Sequence, residues 1–266
     1  MIKMPLIYIS LEEEERGFLE YVSTILKKLN LTPLILYSKT LLSDPIGYIT
    51  QRQEEHSLYQ QINKFVGNYL DKFETYVSFE GIEKVVDKLM CDHGVDMAFF
   101  RYKKQLFSKS LPEKVMNSLQ ELKMWIYKDG CPPQISSLCI PVDFSERTLK
   151  QWNFLEYLKE HFSLNFRLVY ALNVARLKNK LSSEEYQKLL KDKKDEAVHL
   201  LKEMFGDKQL ELDLLEEDPY NGLSKHINSG DYNLLLISKR GKGMAKFVGS
   251  VSQHLTRTVR CPLIVL

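Results

Sequence analysis

The chain has 266 residues, 44% of them hydrophobic and 27% charged, a balance that suits a soluble globular protein and excludes extensive disorder. Lysine and arginine number 37 against 35 acidic residues, a formal net charge of +2, so no whole-protein field points to nucleic acid or another polyanion. No run approaches the roughly 18 apolar residues of a membrane span, the first residues run into Glu12 to Glu15 without a signal-peptide pattern, and the expected location is the cytoplasm.

Leu6 to Ser10 reads as a first strand, followed by a helix with the apolar stripe Phe18, Leu19, Val22, Ile25, Leu26 and Leu29, and by a second strand, Leu34 to Tyr37. A helix through Leu58, Ile62, Phe65, Val66 and Tyr69 leads to a strand at Tyr76 to Phe79. A helix through Ile82, Val85, Val86 and Leu89, a strand at Met97 to Phe100, a helix near Glu113 to Leu122 and a strand at Met124 to Tyr127 complete this half. Paired prolines continue neither a helix nor a central strand, so Gly130-Cys131-Pro132-Pro133 sets the boundary between domains at 1–130 and 135–266.

The same order then recurs. Leu138 to Val142 is the first strand, Ser145 the N-cap of a helix with the expected stripe Leu149, Trp152, Leu155, Leu158 and Phe162, and Phe166 to Leu172 the returning strand. A long helix begins at the capping box Ser182 to Glu185, turns Tyr186, Leu190, Ala197, Leu201 and Met204 inward, and stops at Gly206; Lys191 to Glu196 is its solvated face. In register, Ser10 pairs with Asp143, Tyr37 with Tyr170, Asp96 with Asn233, Ser110 with Ser250 and Met124 with Leu263. Repeated βα alternation predicts an α/β fold of two tandem five-stranded parallel sheets with helices on both faces.

The most informative segment is the last. An apolar strand (Leu234 to Ile237), a basic glycine loop (Lys239 to Gly243) and a helix opened by Gly249-Ser250 follow in the order that builds an anion site: the glycines let the backbone turn, and the helix's first free N–H groups face what lies above them. Neither G-x-G-x-x-G nor G-x-x-x-x-G-K-[ST] occurs. Cys91, Cys131, Cys139 and Cys261 and the six histidines are scattered, so reduced, mostly buried thiols are expected, and no metal site.

Ile140-Pro141-Val142-Asp143-Phe144-Ser145, Glu217-Asp218-Pro219, Ser238-Lys239-Arg240-Gly241 leading to Gly249-Ser250, and the ending Cys261-Pro262-Leu263-Ile264-Val265-Leu266 together resemble the universal stress protein family. The resemblance covers 138–266 and continues more weakly over 1–130, as in a tandem member. It implies strand order 3-2-1-4-5 in each half and ATP, with or without Mg²⁺, at the sheet's switch point, where open α/β sheets favour ligands. Carried over by position, Val142 and Asp143 hold the adenine side and Ala171 lines it. Ser238, Arg240 and Gly241 line the ribose and phosphate approach, and Gly249, Ser250, Val251 and Ser252 present N–H and hydroxyl donors to the phosphates. Asp143 can equally cap the following helix.

This sequence departs from the family's G-x-x-G, nine residues, G-[ST] pattern: Ser238 stands for the first glycine, and only seven residues, Lys242 to Val248, separate Gly241 from Gly249. In the first half Ser10 replaces the aspartate, Arg101 stands where Ser238 does, and no glycine occurs between Gly94 and Gly130, so that half is read as a degenerate partner without nucleotide. In the family the last strands often meet across a dimer, which implies that Met124 to Tyr127 and Leu263 to Leu266 pair inside this chain, with a homodimer as a further step. No general base or metal-ligand pair is evident, so the expected role is sensing or regulation, with slow ATP hydrolysis at most. The alternative is a scaffold without nucleotide that acts through protein contacts; an adenylating enzyme is disfavoured because no S-G-G-x-D-S loop follows either first strand.

Overall fold

Runs of consecutive apolar residues make strands buried on both faces, and amphipathic segments between them make the helices that cover them. The computed structural model describes residues 1–39, 47–105, 108–240 and 248–266, and of 47–53 it describes the backbone alone. The chain divides into two units, Met1–Gln134 and Ile135–Leu266.

In the first unit β1 (Pro5–Ile9), α1 (Arg16–Leu29), β2 (Leu34–Ser38), α2 (Gly47–Val66), β3 (Glu74–Ser78), α3 (Ile82–His93), β4 (Met97–Arg101), α4 (Leu111–Ser118) and β5 (Lys123–Tyr127) alternate along the chain. All strand pairs are parallel, in the order β3-β2-β1-β4-β5. Helix α1 ends on Asn30, whose left-handed backbone lets its own N–H and that of Leu31 return to the carbonyls of Lys27 and Leu26.

The second unit comprises β6 (Ser137–Pro141), α5 (Glu146–Lys159), β7 (Asn165–Ala171), α6 (Ser183–Phe205), β8 (Leu212–Leu215), α7 (Asn221–Ser229), β9 (Leu234–Ile237), α8 (Ser250–Thr258) and β10 (Leu263–Val265). Its strands are also parallel, in the order β8-β7-β6-β9-β10. Both units therefore have the order 3-2-1-4-5.

Matching devices hold the two topologies. The Asp96 carboxylate before β4 accepts from the N–H groups of Lys3 and Met4 at 3.0 and 3.1 Å. Asn233 before β9 accepts from those of Ser136 and Ser137, both at 3.1 Å. Leu11 and Phe144, just past β1 and β6, both have a left-handed backbone, with φ of 61° and 53°, a strained choice for bulky residues. Strain of this kind gathers where a chain is held for function.

Several local expectations need correction. Helix α4 stops at Ser118 because Leu119 leaves helical geometry, and the buried Leu122 belongs to the approach to β5. The inward face of α5 departs from the expected stripe at Leu149, while Trp152 is half-buried and packs on Phe166 and Phe205 at centroid distances of 5.8 and 4.9 Å. Leu149 is 42% exposed, and the buried residues are Thr148, Gln151, Phe154, Leu155, Tyr157 and Leu158, so two polar side chains occupy the core-facing stripe. The thiols are only half buried as a set: Cys139 and Cys261 are buried, Cys131 is intermediate and Cys91 exposed. The helix starts correspond as N-caps, Ser110 with Gly249, one residue off the expected pairing of Ser110 with Ser250.

Candidate functional site

Strands one and four of an open α/β sheet send their helices to opposite faces, so their carboxyl ends part and leave a crevice. In the second unit β6 and β9 pair only at Leu138 with Leu234 and Cys139 with Leu235. Beyond that point Gln151 spans the gap, its Nε2 donating to the carbonyls of Pro141 and Leu236, both at 3.0 Å. Above this bridge lies a cavity of about 420 Å³.

The cavity is lined by Pro141, Val142, Asp143 and Gln151 from β6 and α5, Tyr170 and Ala171 from β7, Pro219 and Leu223 around the start of α7, and Ile237, Ser238 and Arg240 from β9. Gly249, Ser250, Val251, Ser252 and Leu255 close it from α8. Val142, Asp143, Ala171, Ser238, Arg240, Gly249, Ser250, Val251 and Ser252, singled out from the sequence, thus surround one hollow. Gly241, with Lys242 and Lys246, lies outside the described residues.

One wall is a carboxylate only half used. Asp143 Oδ1 accepts from the Ser145 N–H at 3.1 Å, the Ser145 hydroxyl at 2.6 Å and the Thr148 hydroxyl at 3.2 Å. Asp143 Oδ2 is buried and has no partner; among the described side chains only His254 Nε2 shares that condition. A buried carboxylate oxygen without a donor is costly, and it marks a place where a ligand or solvent donor belongs. Asp143 therefore props the start of α5 with one oxygen and offers the other.

The opposite wall is a helix start without a cap. Gly249 has no side chain with which to cap α8, and the first intrahelical bond runs from the Gln253 N–H to the Gly249 carbonyl at 3.1 Å. The N–H groups of Ser250, Val251 and Ser252 thus have no acceptor among the described residues. Bare amides at the positive end of a helix favour an anion. The two serine hydroxyls are engaged elsewhere: Ser252 Oγ donates to the Ser238 carbonyl at 2.7 Å, and Ser250 Oγ lies 2.7 Å from Tyr220 Oη. The Gly249 N–H donates to the Lys239 carbonyl at 2.6 Å, which brings the two ends of the glycine loop together.

Tyr170 adds a neutral edge. Burial is the main reason its hydroxyl is raised above the usual tyrosine value; the charges of Glu196 and Asp143 add to this and Lys193 opposes it, so it stays protonated at neutral pH. Its ring packs against Phe144 with centroids 5.0 Å apart. Among the described residues no group of three or more acidic, histidine or cysteine side chains could hold a metal, and no helix is long and apolar enough to cross a membrane.

The first unit fills the same places with its own side chains. The Ser10 N–H and hydroxyl both donate to the Glu15 carboxylate at 2.8 Å, and Glu15 is 2% exposed. Arg101, at the end of β4, grips Asp129 through Nε and Nη2 at 2.7 and 2.8 Å and reaches Glu14 at 3.2 Å. The start of α4 carries its own anion: the Glu113 carboxylate accepts from the Ser110 N–H at 2.9 Å and hydroxyl at 2.6 Å, and both residues are buried.

Sequence reading missed Pro141, Gln151, Tyr170, Pro219, Leu223, Ile237 and Leu255 as cavity residues. The signal for Gln151 was present, since Thr148, Gln151, Leu155 and Leu158 recur at helical spacing. An apolar-only search passes over a stripe whose first two members are polar.

Comparison with known proteins bears on the second unit. Residues 136–266 match the model of the Universal stress protein family. A crystal structure of a candidate universal stress protein from Pseudomonas aeruginosa aligns with 100% of this chain and 93% of its own at 10% identity, TM-score 0.70. One of a universal stress protein from Archaeoglobus fulgidus aligns with 98% of this chain and 95% of its own at 15% identity, TM-score 0.67. At these identities the two structures establish the fold alone. No curated protein matches the chain.

Proposed function

From the premise that residues 136–266 carry a universal stress protein domain, we propose that the chain is a tandem member of that family whose second unit binds an adenine nucleotide, ATP, as a cytoplasmic sensing or regulatory protein. In this reading the domain at 1–130 is a degenerate partner and the one at 135–266 holds the nucleotide. Asp143 and Val142 take the base, Ala171 lines it, and Ser238 and Arg240 flank the ribose and phosphates. The amides of Ser250, Val251 and Ser252 receive phosphate oxygens.

The observation that carries this reading is the pairing, across one cavity, of three uncapped N–H groups with a buried, partnerless carboxylate oxygen. Such a hollow wants a guest that is anionic at one end and donates hydrogen bonds at the other, which a nucleotide does. Its volume falls within the range of about 300–1,000 Å³ usual for small-molecule sites. The first unit supports the contrast, because Glu113 and Arg101 with its carboxylates already supply the charges that a ligand would bring. In this reading the role is recognition rather than turnover.

Titration calorimetry and thermal denaturation of the full chain with ATP and Mg²⁺ test the proposal. Binding at 100 times Kd raises stability by about 2.7 kcal/mol. Neither heat nor a shift at millimolar ATP overturns it and leaves a scaffold that acts through protein contacts.

A further inference from the structure

The floor of the second unit's cavity presents an acceptor that the nucleotide reading leaves unused. Gln151 is 3% exposed and lines the cavity, and its Nε2 spends both hydrogens on the carbonyls of Pro141 and Leu236. This fixes the orientation of the amide, because exchanging its ends would set Oε1 against two carbonyl oxygens. Oε1 is therefore the end turned away from the two carbonyls, and among the described residues no hydrogen bond to it is found. Asp143 supplies a second acceptor, Oδ2, also without a partner. Among the described residues neither oxygen has a donor, so water or a ligand supplies it.

We propose, resting on the nucleotide reading above, that Gln151 is a specificity-determining residue, and that with Asp143 it forms a two-acceptor floor that selects a base bearing an exocyclic amino group. An amino group has two hydrogens for two oxygens. A carbonyl in its place turns lone pairs toward lone pairs, and a bare C–H leaves both acceptors without a ligand donor. Sites built around a ligand donor reject analogues that lack it far more strongly than apolar pockets reject a missing methylene. Gln151 reaches this position through the strand parting that makes the crevice, since the two carbonyls it bridges are those that β6 and β9 no longer share.

The test compares three triphosphates by titration calorimetry on the full chain: ATP, ITP, in which a carbonyl replaces the amine, and purine riboside triphosphate, in which hydrogen does. The expected result is that both analogues bind about tenfold or more weakly than ATP. Q151M keeps the volume and removes the acceptor, and Q151A makes room for water beneath the two carbonyls. In whichever of them folds, ATP binding weakens toward the level of ITP and the discrimination shrinks to what Asp143 alone supplies. If all three triphosphates bind alike to the native chain, or a folded variant keeps the full preference for ATP, this inference falls and the nucleotide reading stands. If none binds at millimolar concentration, the nucleotide reading falls and this inference with it.

Discussion

The hydroxyl of Ser252 donates to the carbonyl of Ser238 at 2.7 Å, tying the first turn of α8 to the end of β9. Both residues line the cavity, so this bond sets where the α8 amides point. The hydroxyl proton is spent on it, which makes the side chain a strut and leaves the backbone N–H to meet a ligand. Ser252→Ala is expected to cost about 1 kcal/mol of stability, read as a lowered urea midpoint. ATP affinity should change by less than about tenfold, because the donor that matters remains. A larger loss of affinity at unchanged stability would make the hydroxyl a direct ligand.

Gly249 holds an ordinary extended backbone, φ −62° and ψ 136°, that any residue can adopt, so its value lies in the absent side chain. Gly249→Asp would put a carboxylate on the amides of Val251 and Ser252, as Glu113 serves the start of α4 in the first unit. The expected outcome is opposite in sign on two instruments. Stability rises by about 1 kcal/mol from the cap, the helix dipole and the stiffer unfolded chain, while ATP binding is lost. A variant that gained stability and still bound ATP would place the phosphates elsewhere.

The strands were legible because runs such as Leu234 to Ile237 or Leu138 to Ile140 have few other places to go than a doubly covered sheet. The two N-caps Ser145 and Ser182 were legible because capping is local. What escaped was long-range or polar. Gln151 earns its place by bridging carbonyls ten and eighty-five residues away, a relation no window contains. The apolar period points Leu149 inward, yet Thr148, whose hydroxyl donates to Asp143, is the buried neighbour and Leu149 is exposed. The filling of the first unit's crevice was visible only as a missing aspartate and glycine; that Glu15 folds back on Ser10 required the structure.

Glu15 makes the first unit lose stability as pH rises. Burial pushes its carboxyl above the usual glutamate value, against the opposing pull of the Ser10 N–H and hydroxyl, the Leu11 N–H and the Arg101 charge. The folded state therefore holds a proton that the unfolded chain has released, and its stabilising contribution, complete below the unfolded value, is lost as pH rises through the folded one. Glu15→Gln fixes the neutral form and keeps an acceptor for Ser10. Urea midpoints measured from mildly acidic to neutral pH should fall more steeply for the native chain than for the variant; parallel curves would mean that Glu15 does not titrate in that window.

Asp96 has the opposite sign. Its burial alone would raise the carboxyl, but the N–H groups of Lys3 and Met4 and the Lys123 ammonium together hold it below the usual aspartate value. The bond to Lys123 is 3.0 Å long, and the two side chains are 25% and 30% exposed. Its contribution is present above the unfolded value and is lost as pH falls through the folded one. Asp96→Asn copies what the second unit already does with Asn233, which accepts the same pair of strand N–H groups without a charge. At neutral pH the substitution should cost about 1 kcal/mol, the worth of a charge-assisted bond discounted for partial exposure. Below the aspartate range the variant should match or exceed the native chain, so the two curves of midpoint against pH converge or cross on acidification. Curves that stay separated by a constant amount would show that Asp96 acts through shape alone, and that its pairing with Lys123 carries no free energy.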